Sequence, residues 1–153
     1  MDIIYADNAA TTRTCRAAIN AMLPYFDSCY GNPSSLHTLG QRAKEALEQA
    51  REIMAAGLGC SPKEIYFTSG GSEADNQALF SAAAIGQAKG KKHIVSTAFE
   101  HHAVLHTLER LGKQGFQIEL LPVNEDGVVR PEQVAAAIRE DTCLVTVMYA
   151  NNE

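Results

Sequence analysis

From residue 65 onward the chain alternates short apolar runs with helix-forming stretches, and that rhythm limits the possible folds more than any other feature. The runs are Ile65-Tyr66-Phe67, His93 to Thr97, Gln117 to Val123 and Cys143 to Tyr149. Between them lie helix-forming stretches at 72–88, 101–113 and 131–139, the last opening with Pro131. Strand and helix in this order predict right-handed βαβ crossovers and a mostly parallel sheet. Several runs are continuously apolar, as expected for strands covered on both faces. The expected fold class is α/β, a mostly parallel sheet flanked by helices.

The first 64 residues read as an arm, two helices and the loops that join them. Residues 3–12 read as an extended arm, in which Asp7-Asn8 favours a turn and Thr11 and Thr12 stand where they can cap a helix. A helix is expected from Arg16 to Phe26, with Ala18, Met22 and Phe26 on one face. Tyr30-Gly31-Asn32-Pro33-Ser34-Ser35 breaks it. A longer amphipathic helix follows over 36–58, with Leu39, Ala43, Leu47, Ala50, Met54 and Leu58 as its stripe. Gly57 and Gly59 end it.

Composition removes several function classes. The net charge of −5 and the lack of a basic stripe interleaved with aromatics speak against nucleic acid as a partner. The basic knot Lys89-Gly90-Lys91-Lys92 reads as a solvated loop. The four cysteines, at positions 15, 29, 60 and 143, form no C-x-x-C pair, so neither a zinc knuckle nor a disulfide framework is expected. Reduced thiols point to a cytoplasmic protein. The N-terminus lacks the pattern of a signal peptide, and no apolar stretch is long enough for a membrane span. The chain stops just after an apolar run with no helix to cover it, and so reads as part of a larger protein.

Three features carry chemistry. Phe67-Thr68-Ser69-Gly70-Gly71-Ser72-Glu73 passes from a strand through two glycines into a helix, leaving helix N–H groups and the Ser72 hydroxyl facing a possible anion. The same pattern also serves if Ser72 merely caps the helix. His101 follows the run 93–97 at the start of a helix, where the dipole disfavours a positive charge. It is placed either to stack on a flat ligand or to stand on an exposed helix start. Asn151 and Asn152 offer amides after the last run, at the rim where α/β sheets gather ligands. His102 and His106 are four residues apart but lack a third ligand or an H-E-x-x-H pattern, and so read as a surface face. No Gly-x-Gly-x-x-Gly or Walker A loop is present. None of the four cysteines stands out as a nucleophile.

These segments, taken together, resemble the NifS/IscS group of cysteine desulfurases. The resemblance rests on Tyr5 to Thr12, Tyr30 to His37, Phe67 to Asn76, Glu100 to Val104 and Val147 to Glu153, five motifs in family order. It implies a fold-type I, pyridoxal-phosphate-dependent homodimer that takes sulfur from L-cysteine. Such an enzyme leaves L-alanine and holds the sulfur as a persulfide for iron–sulfur cluster scaffolds or other acceptor proteins. By motif, Gly71 and Ser72 would hold the cofactor phosphate, and His101 would stack on its ring and move protons. Asn152 would bond its phenolic oxygen. The implied domains are an arm over 1–14 and part of the cofactor-binding large domain over 15–153. The family's Schiff-base lysine, its aspartate on the pyridine nitrogen and its persulfide cysteine have no counterpart here, so the chain alone is expected to be inactive. Related selenocysteine or cystine lyases, and a non-catalytic dimerising fragment, are the competing expectations.

Overall fold

A computed structural model describes residues 3–152 and resolves into two compact units, one ending at Phe67 and the other beginning at Thr68.

In the first unit the arm turns at Asp7, whose carbonyl accepts the N–H groups of Ala10 and Thr11 at 3.2 and 3.3 Å. Helix α1 spans Arg16–Asp27. Thr11 and Thr12 do not cap it: the N-cap is Cys15, with no side-chain cap bond. Helix α2 spans Thr38–Leu58, two residues shorter at its start than expected. His37 sets that start, because its Nδ1 accepts the Gly40 N–H at 3.3 Å and makes residue 37 the cap. A Cβ on Gly40 would stand 2.3 Å from the Ser35 carbonyl oxygen, so the 30–35 loop can lie against α2 only because glycine is there. Gly59 ends α2 in the left-handed conformation, φ 70°.

The expected strand at 65–67 does not form. After the single 3-10 turn Pro62–Glu64, the Ile65 N–H bonds back to the Pro62 carbonyl at 3.2 Å. Arg51 Nη1 donates to the Ile65 carbonyl, and its guanidinium lies 5.1 Å from the Phe67 ring centroid. Both backbone groups of Ile65 are thus spent on other partners, and Tyr66 and Phe67 are exposed.

The second unit carries the βαβ pattern. Its elements are α3 (Gly71–Ala88), β1 (His93–Thr97), α4 (His102–Lys113), β2 (Gln117–Leu121), α5 (Pro131–Ala137) and β3 (Thr142–Val145). The strands form one parallel sheet in the order β2-β1-β3. Ile94 packs on one face with Leu79, Ala83, Val104, Leu108, Leu111 and Phe116. Val95 packs on the other with Leu121 and Ala137. Full burial of such side chains is worth about 1.5–3 kcal/mol each. The central strand is buried throughout, whereas β3 is half-buried at the edge.

Three elements end earlier than their patterns suggest, each for a local reason. β2 stops at Leu121 because Pro122 has no N–H for a ladder. α5 stops at Ala137, and a turn follows in which Thr142 Oγ1 accepts the Arg139 N–H at 2.7 Å. β3 stops at Val145, well short of Tyr149. The Thr146 N–H still reaches the Val95 carbonyl at 2.9 Å, but the Met148 N–H goes to the side chain of Glu100 instead. The register also slips once, His93 facing Thr142 and Ile94 facing Leu144, which leaves Cys143 as the extra residue of a bulge. A Cβ on Gly86 would lie 2.3 Å from the Cys143 Cβ, so glycine is what lets α3 pack against that bulge.

Candidate active site

The start of α3 is bare. Its N-cap is Gly70, with no side-chain cap bond, so Ser72 is the second helical residue and not the cap. The first helical bond runs from the Ala74 N–H to the Gly70 carbonyl at 3.1 Å, which leaves the N–H groups of Gly71, Ser72 and Glu73 outside the helix's own bonding. A Cβ on Gly70 or Gly71 would meet nothing within 4 Å, so this end opens on free space. Glu73 does not fill it. Its Oε2 is drawn back to the Ser69 N–H and hydroxyl, both at 2.6 Å, and these bonds hold the carboxyl below the ordinary glutamate range.

His101 is the N-cap of α4. Its Nδ1 accepts the Ala103 N–H at 3.0 Å, which leaves Nε2 as the ring's free hydrogen-bonding position. Both helix starts lie at the same end of the unit, because a side-chain bridge joins their second turns. Thr107 Oγ1 stands 2.8 Å from Asn76 Oδ1, and Asn76 Nδ2 reaches the Ser72 carbonyl at 2.7 Å. Asn76 and Thr107 each sit five residues beyond the first residue of their helix, about 7 Å along the axis. The bridge therefore ties the first turns of the two helices, which carry Ser72 and His101, to the same end of the unit.

The exits of β1 and β3 complete the rim. Thr97 Oγ1 donates to Glu100 Oε1 at 3.1 Å, and the Met148 N–H reaches the same oxygen at 2.8 Å. Asn151 Nδ2 donates to the Phe99 carbonyl at 3.2 Å. Asn152 follows directly and is exposed. Beside this stretch lies a cavity of about 410 Å³ lined by Thr97, Phe99, Val129, Met148 and Asn151, among others.

The structure thus brings Gly71, Ser72, His101 and the Asn151-Asn152 pair to one end of the sheet. It uses Asn151 as a tether rather than as a spare amide. Two residues that stand in the motifs, Asn76 and Glu100, have no role assigned from the sequence. Asn76 carried only the weak signal of a polar residue within a helical stretch, and Glu100 that of an acid directly after an apolar run. The His102 and His106 rings stack with centroids 5.5 Å apart, and among the described residues no group of three or more His, Cys, Asp and Glu side chains is poised around a metal. Lys89, Lys91 and Lys92 lead into β1 from its opposite end, and Lys113 closes α4, so this unit's lysines stand away from the rim. All four cysteines are free thiols. Cys143 is only half-buried, and that burial pushes its thiol above the ordinary value. No helix among the described residues is long and apolar enough to cross a membrane.

A parallel α/β unit with a bare helix start at the carboxyl end of its strands defines a class of phosphate-cofactor domains. Comparison with known proteins narrows that class. The family model for class V aminotransferases matches residues 4–153. The cysteine desulfurase IscS of Methanosarcina thermophila is 47% identical over 98% of this chain and 37% of its own length. A solved NifS-like protein superposes with a TM-score of 0.91 at 42% identity, covering 95% of this chain and 40% of that one. A solved SspA in complex with cysteine gives 0.88 at 36% identity, over 95% of this chain and 42% of that one. The chain belongs to the class V aminotransferase family, and its homologues there are the NifS/IscS cysteine desulfurases. Its fold is that of the NifS-like, fold-type I pyridoxal-phosphate enzymes. It spans about two fifths of the length of the relatives it matches.

Proposed function

We propose that this chain is the cofactor-seating portion of a pyridoxal-phosphate-dependent cysteine desulfurase. The observation that carries this reading is the bare start of α3 at the same end of the unit as His101. Three free N–H groups, one hydroxyl and a helix dipole converge where no side chain intrudes, a donor set suited to a phosphate dianion. The residues therefore fit the cofactor that the family uses.

In this reading the amides of Gly71 and Ser72, with the Ser72 hydroxyl, hold the phosphate. The His101 ring would stack on the pyridine ring. Its Nδ1 is committed to Ala103, so Nε2 is the atom that exchanges protons with the substrate. The Asn152 amide would bond the cofactor's phenolic oxygen. Bound pyridoxal phosphate supplies an electron sink, while the protein supplies orientation and electrostatics. The net change is balanced: L-cysteine and an enzyme thiol become L-alanine and an enzyme persulfide. A C–S bond breaks, an S–S bond forms, and a proton replaces sulfur at Cβ. The solved relative in complex with cysteine supports that substrate. A homodimer in the cytoplasm, passing sulfur to iron–sulfur scaffolds or other acceptors, completes the proposal. The lysine and the thiol are assigned to none of these 153 residues, so the chain alone releases no sulfide from L-cysteine above the free-cofactor background.

A chimera tests the reading. Residues 4–152 replace the matching segment of the Methanosarcina thermophila relative, and persulfide and L-alanine are measured. Turnover of L-cysteine is expected, together with its loss in the His101→Ala chimera. A folded, cofactor-loaded chimera that is inert to L-cysteine would contradict it.

A further inference from the structure

The turn between β1 and α4 contains a group that none of these cofactor contacts uses. Glu100 is only 6% exposed, and removing a carboxyl from water is costly unless its oxygens find donors. Here one oxygen accepts two bonds, from the Thr97 hydroxyl at 3.1 Å and from the Met148 N–H at 2.8 Å, 48 residues further along the chain. The flanking Phe99 carbonyl takes the Asn151 amide at 3.2 Å. The residue after Glu100 is His101, and the residue after Asn151 is Asn152. One short turn thus grips, at two points, the stretch that ends in the second proposed ring contact, while its own continuation is the first.

We infer that Glu100 is the positioning residue of this site: through one carboxyl oxygen it fixes the spacing between the His101 ring and the Asn152 amide, so that both meet the same flat ligand. The inference rests on the cofactor reading above and adds to it a side chain that touches neither cofactor nor substrate. What the role requires is an acceptor at that point. A glutamine oxygen accepts the same two bonds, an alanine accepts neither, and an aspartate is one methylene too short.

The 153-residue chain, ¹⁵N-labelled, is titrated with two probes. One is inorganic phosphate. The other is 4′-deoxypyridoxine phosphate, which has the ring and phosphate but no aldehyde to react with surface lysines. Losing two hydrogen bonds predicts that Glu100→Ala weakens the ring-bearing probe by about tenfold. Phosphate binding, read at the Gly71 and Ser72 amides, should stay within about twofold of the parent, because the α3 seat is untouched. Glu100→Gln should stay within about threefold of the parent for both probes. Hydrogen exchange at Met148 should quicken about tenfold in the alanine variant while Ile94 is unchanged. Should the alanine variant unfold, Glu100→Asp supplies the same comparison. Equal loss of both probes, parent-like binding in the alanine variant, or failure of glutamine to rescue would each overturn the inference and leave the cofactor reading standing. If the parent itself binds neither probe at Gly71 and Ser72, the cofactor reading falls and takes this inference with it.

Discussion

The two ends of β1 are finished in opposite ways. At its start, His93 spends both ring nitrogens, on Thr142 Oγ1 at 2.8 Å and Glu119 Oε2 at 3.2 Å, while its carbonyl takes the Cys143 thiol at 3.3 Å. Arg139 closes the same edge, reaching Gln117 at 2.7 Å and Asp141 at 3.0 Å. At the far end a single buried carboxyl ties the strand exits together, and the neighbouring helix start keeps three N–H groups unspent. Polar groups that consume one another add stability but leave nothing for a ligand. Those left in surplus are the capacity to bind. The contrast within one strand therefore sets a closed end against an open one, and the proposed function places binding at the open end.

The sharpest way to break that contrast is to cut the closed end. His93→Ala removes a buried ring with its bonds to Thr142 and Glu119, which should cost about 2–4 kcal/mol in urea unfolding. Affinity for 4′-deoxypyridoxine phosphate should stay unchanged in the folded fraction. A stability loss below about 0.5 kcal/mol would show that the closed end contributes little. The opposite cut, Ser72→Ala, should weaken that ligand by about tenfold and leave the unfolding free energy within about 0.5 kcal/mol. If it destabilised the fold instead, the seat would be structural too.

A smaller effect concerns the thiols. Burial raises Cys143 above the ordinary thiol value, and its Sγ is held against the His93 carbonyl, while Cys15 is exposed. Iodoacetamide should therefore label Cys15 before Cys143. Early labelling of Cys143 would mean that the closed end opens readily. The smallest effect lies at the mouth of the seat. The Glu73 carboxyl is held below its usual value of 4.5 by the Ser69 hydroxyl and N–H. A depressed carboxyl stabilises the fold above the unfolded value and loses that contribution as pH falls through the lower, folded one. The Ser69 amide shift should hence titrate below pH 4.5. Titration at or above that point would mean that Glu73 is free to swing across the helix start.

What could be foreseen divides along the same line. The βαβ order, the α2 helix and the place of His101 at a helix start follow from patterns a few residues long, and these the structure reproduces. The expected α2 stripe, however, is not buried: Leu39, Leu47, Met54 and Leu58 are exposed, and Gly40 and Ala55 are the buried residues of that helix. The end of β3 at Val145 could not be seen that way, because it depends on a bond from Met148 to a carboxyl 48 residues earlier. Residues 65–67 misled for the reverse reason. Their β-prone side chains say nothing of Arg51, which takes the Ile65 carbonyl from a neighbouring helix. Ser72 and His101 were visible as candidates, but the Asn76–Thr107 bridge that joins their helices was not. Local propensity writes the elements, and long-range polar partners decide where they stop and how they meet.

The central claim is that the start of α3 receives the phosphate of a flat cofactor whose ring meets His101. Amide and imidazole shifts of the ¹⁵N-labelled chain, recorded while 4′-deoxypyridoxine phosphate is added, test it most directly. The account predicts that Gly71, Ser72 and the His101 ring move together along one binding curve. Movement confined to the Lys89–Lys92 loop at the other end of β1, with Gly71 and Ser72 still, would contradict it.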